Sequence, residues 1–152
     1  MAASPDPPYI IELTSQPAPE AVQEIWKGLR GYNLLHVHPP YHTPLVVTLQ
    51  DGVGNILGGL QGGTSWNWLH VDELWLSEDL RGQGYGSKLM LAAETEAVRR
   101  GCDHAMVDTF DFQAPGFYQK LGYVEWGVLE DYPSGHRRIF YRKDLAAREG
   151  IG

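Results

Sequence analysis

A single cysteine, Cys102, stands in a chain of 152 residues, so no disulfide can close within it. A chain of this kind reads as reduced and cytoplasmic. Cys102 follows Arg99-Arg100-Gly101, where a helix is expected to end, and suits a small half-buried core residue better than a nucleophile. No apolar run approaches the roughly 18 residues that a membrane span requires, and no basic segment leads into an apolar one at the N-terminus. Neither spanning nor secretion is expected, and the protein should be soluble. Cations are scarce: 12 Lys and Arg stand against 19 Asp and Glu, a formal net charge of −7. Nucleic-acid binding needs clustered cations to displace counterions, so this balance argues against it and leans toward cationic substrates. There is no internal repeat, low-complexity tract or linker, and the length suits a single domain over 1–152, with residues 1–8 as a loose end.

Glycine, by contrast, is plentiful, and its placement matters most in Leu80-Arg81-Gly82-Gln83-Gly84-Tyr85-Gly86-Ser87-Lys88-Leu89. Three glycines at every second position separate a strand-like run, His70 to Leu76, from a helix-like one. A helix start leaves backbone N–H groups unpaired and carries partial positive charge, so a Gly-rich entry with Arg81 at its mouth offers donors to a phosphate. Two familiar nucleotide loops are excluded by spacing. A Walker loop needs Gly followed at once by Lys, whereas Ser87 separates Gly86 from Lys88, and a dinucleotide fingerprint needs Gly where Ser87 stands.

Along the chain, Tyr9 to Leu13 reads as a first strand. Val22, Ile25, Trp26 and Leu29 recur at helical spacing, which predicts an amphipathic helix over Pro19 to Arg30. Tyr32 to His42 is a short second helix or a loop. Its His36, His38 and His42 are interrupted by Pro39-Pro40 and joined by no carboxylate or Cys, so pocket lining or plain surface is expected there and no metal. Pro44 to Leu49 and Ile56 to Gly62 form a hairpin about a Gly- and Asp-rich turn, and Leu69 to Leu76 is the next strand. A helix over Ser87 to Arg100, a strand from His104 to Phe110, a short helix from Ala114 to Leu121 and a final antiparallel pair, Tyr123 to Leu129 with Arg137 to Lys143, complete the order. The fold class is α/β, a mixed sheet with helices on its faces.

The pattern Arg81-x-x-Gly84-x-Gly86 resembles the pyrophosphate loop of the GNAT superfamily of acetyl-CoA-dependent N-acetyltransferases. About thirty residues on, Ala114-Pro115-Gly116-Phe117-Tyr118-Gln119-Lys120-Leu121-Gly122-Tyr123 is similar to that family's Ala-x-x-Phe-Tyr-x-Lys-Leu-Gly-Phe segment. The two together cover a match from about Tyr9 to Lys143. The resemblance implies a central, mostly antiparallel twisted sheet with helices on both faces, acetyl-CoA as cofactor, and direct acetyl transfer to an amine in a ternary complex. It implies that the strands before the loop and after its helix splay apart to admit pantetheine. The backbone of Trp75, Leu76 and Ser77 would pair with that arm, and Arg81, Gly82, Gln83, Gly84, Tyr85, Gly86 and Ser87 would hold the pyrophosphate. Where the family commonly has an Asn that contacts the cofactor, this chain has Asp111. Many members pair, so a homodimer is a further expectation.

An amine is mostly protonated at pH 7 and must lose a proton before attacking a thioester. Asp72 and Glu73 are the candidate bases. Adjacent strand residues point to opposite faces, so one of them faces the acceptor unless a bulge intervenes, and Glu73 is preferred. A backbone N–H at Trp75 or Leu76 would stabilise charge developing on the carbonyl oxygen. Tyr118, which matches the family's tyrosine, is the candidate acid for the leaving thiolate. Trp26, Tyr32, His36, Trp66, Trp68, Phe110 and the Tyr132 to His136 turn are candidate walls of the acceptor pocket. The leading function is acetylation of a primary amine on a small molecule. The alternatives are acetylation of a protein lysine or N-terminus, which needs an open groove, and a CoA-binding module without turnover.

Overall fold

The computed structural model describes residues 8–39 and 42–145. They fall into two units divided between Pro39 and Pro40.

In the first unit a helix, α1, spans Pro19–Asn33. Pro19 occupies its first turn, where a missing N–H costs nothing, and Glu20 and Arg30 sit at the ends that the helix dipole favours for their charges. The helix runs through Gly28 and Gly31 and ends three residues later than the spacing predicts. Its stripe of Val22, Ile25, Trp26 and Leu29 forms as expected, although none of its residues is buried. Beyond it the chain turns, with the N–H groups of His36 and Val37 on the carbonyl of Asn33. Tyr9 to Leu13 is not a strand. Its apolar side chains are exposed and its backbone joins no ladder among the described residues, and a strand exists only as a member of one. Most of the loose N-terminal end, like Pro40 and Tyr41, lies outside the described residues.

The second unit is built on a six-stranded sheet. Its strands are β1 Thr43–Gln50, β2 Ile56–Ser65, β3 Trp68–Leu76, β4 His104–Phe110, β5 Val124–Glu130 and β6 Arg137–Asp144. The order across the sheet is β1-β2-β3-β4-β6-β5, antiparallel throughout except for β3 with β4. The β1–β2 turn is fixed by Asp51, whose carboxylate accepts from the Asn55 side chain and from the backbone N–H groups of Asn55 and Val53. These bonds, that of the Asn55 side chain foremost, hold Asp51 below the usual carboxylate range. The β2–β3 turn places Trp66 and Asn67 at φ of 42° and 72°, the doubly left-handed form that matches the twist of a hairpin.

Two helices pack on one face of this sheet: α2, Tyr85–Arg99, and α3, Pro115–Lys120. Gly86, Leu89, Met90, Ala93 and Ala97 form the buried stripe of α2 at helical spacing. They meet Leu60, Leu69, Ala105, Val107, Ile139 and Tyr141 from the strands in one core, which also takes Cys102 and Tyr118. Burial pushes the Cys102 thiol up, consistent with a core residue. Glu94 of α2 ties the helix to the sheet: Tyr123 Oη donates to it at 2.9 Å and Lys143 Nζ pairs with it at 3.0 Å.

One break in the sheet positions the site. The β3–β4 ladder runs from Trp68 opposite His104 to Val71 opposite Val107 and stops there. Past that point β3 stays with β2 as far as Leu76 opposite Gly58, and β4 stays with β6 as far as Phe110 opposite Arg138. The two parallel strands therefore part from each other and leave a gap in the middle of the sheet.

Candidate active site

Beside this gap β3 carries one residue more than β2. Gln61 lies opposite Glu73 and Gly62 opposite Val71, so Asp72 has no counterpart. The bulge explains why Val71 and Leu74, three residues apart, both turn toward the core, while Asp72 and Glu73 between them are both exposed. Gly62 makes it possible: a Cβ there would lie 1.9 Å from the carbonyl oxygen of His70. Glu73 accepts a hydrogen bond from the Gln61 side-chain amide across the strands.

Asp72 and Glu73 line a cavity of about 650 Å³ that occupies the gap. Leu74, Trp75, Leu76 and Arg81 line it from the β3 side, Asp108, Thr109 and Phe110 from β4, and Phe112, Gln113, Ala114, Phe117 and Tyr118 from the turn and helix that follow. The backbone of β3 is sorted by its ladder. Ser77 N–H donates to Leu57 O at 2.8 Å, and opposed residues of an antiparallel pair bond on alternate positions, so Trp75 also turns to β2. Leu74 and Leu76 turn their N–H and C=O groups the other way, to the edge β4 has left. Of the three residues expected to offer backbone to a ligand, Leu76 is the one so turned, and Leu74 joins it. Arg81 Nε reaches the Leu76 carbonyl at 3.3 Å, which brings the guanidinium to the same edge.

The glycine loop ends in α2. Gly84, at φ 84° and ψ 3°, holds the left-handed conformation that glycine alone takes at little cost, and no side chain caps the helix. The first intrahelical bond runs from Lys88 N to Gly84 O, so the N–H groups of Tyr85, Gly86 and Ser87 leave the helix start without a helical acceptor. Donors and a helix dipole thus meet beside Arg81, a chemistry suited to a diphosphate.

Tyr118 is buried among Phe117, Tyr123 and Tyr141, with ring centroids 5.1, 6.0 and 6.1 Å away. Burial, and next the negative charge of Asp108, push its phenol up to about 12. It therefore stays protonated at neutral pH.

Sequence reasoning missed Asp108 and Arg138. Arg138 Nε donates to Asp108 Oδ2 at 2.6 Å and a terminal nitrogen donates to Tyr132 Oη at 3.1 Å, while its guanidinium lies 5.1 to 5.7 Å from the rings of Tyr132, Phe140 and Phe110. Asp108 was visible as a polar residue in an alternating strand, but its partner stands 30 residues away and is set beside it by the β4–β6 ladder. Asp111, one residue past β4, is held by His136 Nδ1 at 3.0 Å and is not among the cavity-lining residues.

Of the candidate acceptor walls, Phe110 lines this cavity and Tyr132 stacks on it at 5.8 Å. Trp66 and Trp68 line a second hollow of about 460 Å³ with His70, Met106, Trp126 and Arg142. Trp26, Tyr32 and His36 belong to the first unit. Among the described residues no three His, Cys, Asp or Glu side chains gather as metal ligands would. Among the described residues no helix is long and apolar enough to cross a membrane.

Residues 8–123 match the model of the Acetyltransferase (GNAT) family. Over 93 residues the chain is 49% identical to blasticidin-S acetyltransferase of Streptomyces morookaense, across 60% of this chain and 68% of that protein. The crystal structure of an acetyltransferase from Bacillus cereus superposes with a TM-score of 0.80 at 34% identity, covering 88% of this chain and 98% of that one. An aminoglycoside 6'-N-acetyltransferase solved with coenzyme A shares the fold at a TM-score of 0.62 and 17% identity, covering 92% and 99% of the two chains.

Proposed function

The chain belongs to the GNAT family of acetyltransferases, and from that premise we propose that it moves the acetyl group of acetyl-CoA to a primary amine of a small molecule in a ternary complex. The observation that carries this reading is the gap itself: one cavity joins the carboxylates of Asp72 and Glu73, a protonated phenol and the backbone edge of β3 that β4 has left, beside the glycine loop. Bound acetyl-CoA supplies an activated thioester. Gly82 to Ser87 and Arg81 would hold its diphosphate, and the N–H groups of Leu74 and Leu76 would serve the arm and stabilise charge on the carbonyl oxygen. Asp111 has no such place in this reading.

Glu73, with one carboxylate oxygen anchored by Gln61, takes the proton that the acceptor ammonium must lose. Asp72 draws the cation in. Tyr118 would give its proton to the sulfur that leaves when the C–N bond replaces the C–S bond. Three chemically equipped side chains in the cavity argue against a module without turnover. The relative that acetylates blasticidin S supports a small acceptor.

The test is a panel of amines, aliphatic, aromatic and peptidic, with acetyl-CoA, following free thiol. Turnover confined to small amines is expected. Turnover of peptides alone, or of nothing beyond the rate without amine, rejects the reading.

A further inference from the structure

The sheet sorts the residues of the cavity between two faces. Val107 and Thr109 of β4 and Ile139 and Tyr141 of β6 are buried on the face that carries α2 and α3, so Asp108, Phe110, Arg138 and Phe140 turn to the other. The bulge sends Asp72 and Glu73 the same way, out of the core. A cofactor gripped at the start of α2 would come from the helix face, which leaves the opposite face to the acceptor.

That face is aromatic, and its rings lie flat against each other. Phe110 stacks on Phe112 with centroids 5.3 Å apart and planes 6° from parallel, and on Tyr132 at 5.8 Å and 7°. The core rings differ: Tyr118 meets Phe117 at 71° and Tyr123 at 75°. Both partners of Phe110 are fixed in place. His136, tied to Asp111, stands edge-on to Phe112 at 4.9 Å, and the Tyr132 hydroxyl accepts from Arg138 at 3.1 Å. Phe112 nonetheless lines the cavity and is 55% exposed. A fixed, half-exposed ring in a parallel stack offers its flat face to one ring more at little cost in ordering. Charge is divided along the same cavity: Asp108 is offset by Arg138 at 2.6 Å beside the rings, whereas Asp72 and Glu73 leave their end negative. An ammonium suits one end and an uncharged flat group the other.

We infer that Phe110 and Phe112 are specificity-determining residues of the acceptor site and select amines that carry a flat unsaturated ring. The inference rests on the acetylation reading proposed above. Phenethylamine and 2-cyclohexylethylamine share a carbon skeleton and differ in flatness, so the ratio of their kcat/KM values reads the ring. Thiol release by the full chain with acetyl-CoA measures it. A preference of about two- to tenfold for phenethylamine is expected, the worth of one aromatic stack. Phe112→Leu keeps an apolar side chain at a half-exposed position and should bring the ratio to about one with little change in melting temperature, whereas Phe112→Tyr should keep the preference. Damage of a merely structural kind would lower both rates together and spare the ratio. A wild type without the preference, or a preference that survives Phe112→Leu, overturns the inference while turnover of other amines leaves the acetylation reading intact. Failure to turn over any amine overturns both.

Discussion

Asp72 and Glu73, neighbours in sequence, both line the cavity because β3 carries one residue more than β2 at that point. An unbroken strand would have sent them to opposite faces. The bulge gives the site a pair of carboxylates with separable duties. Glu73→Gln should lower kcat/KM about a hundredfold or more and remove the acidic limb of the pH–rate profile. Asp72→Asn should raise the KM for the amine and keep that limb. Thiol-release kinetics from pH 6 to 9 distinguish them, and an acidic limb that survives Glu73→Gln but not Asp72→Asn would exchange the two roles.

The bulge depends on Gly62. A methyl group there would meet the His70 carbonyl at 1.9 Å, and the obstacle is backbone, which cannot swing aside as a side chain can. Gly62→Ala should cost about 2–4 kcal/mol of stability by the mechanisms of overpacking and strain. Urea unfolding measures it. A loss below about 0.5 kcal/mol would mean that β3 re-registers easily and that Asp72 is not fixed by its neighbour.

The glycine loop makes a separate prediction. Gly84→Ala forces an L side chain to φ 84°, at a cost of about 1–2 kcal/mol, and shifts the start of α2 on which the diphosphate reading relies. Coenzyme A should raise the melting temperature of the wild type well above that of Gly84→Ala or Arg81→Glu at equal ligand concentration. Equal shifts in all three would remove the loop from the binding site.

Much of this was legible in the chain. The alternation of β4, the apolar stripe of α2 and the Gly101 stop are local patterns, and each element formed within a few residues of its expected place. Even the possibility of a bulge at Asp72-Glu73 was readable, though its occurrence was not, because it follows from how closely Gly62 and His70 approach across two strands. The Asp108–Arg138 pair was hidden for the same reason: register between distant strands creates it. Tyr9 to Leu13 had the composition of a strand without a partner to make it one. The sorting of β3 backbone groups, which favours Leu74 and Leu76 over Trp75, is a property of the ladder and of no single residue.

Tyr118 carries the last prediction. Its phenol is raised from the ordinary value of 10.0 to about 12, by burial first and by Asp108 second. The native chain therefore keeps a proton that the unfolded chain gives up once the pH passes about 10. The stability tied to this proton is fully present below pH 10 and drains away as the pH climbs toward 12. A shift of this size is worth about 2–3 kcal/mol at most, since each pKa unit corresponds to about 1.4 kcal/mol. Tyr123 is displaced in the same direction, by burial and then by Glu94, and Tyr141 by burial and then by Glu125, so the alkaline loss has three sources. Tyr118→Phe has no proton to lose, and its stability should fall less steeply between pH 10 and 12 than that of the wild type, with the remaining slope belonging to Tyr123 and Tyr141. Unfolding free energies across that range, with phenolate absorbance in the near ultraviolet as the count of ionised rings, separate the share of Tyr118 from the rest. The same variant should lose about a hundredfold in kcat while its KM for acetyl-CoA changes little, because the hydroxyl serves the departing sulfur and the ring that packs on Tyr141 is retained. If kcat is unchanged and only the alkaline slope flattens, the phenol is a core group, and the thiolate takes its proton from elsewhere.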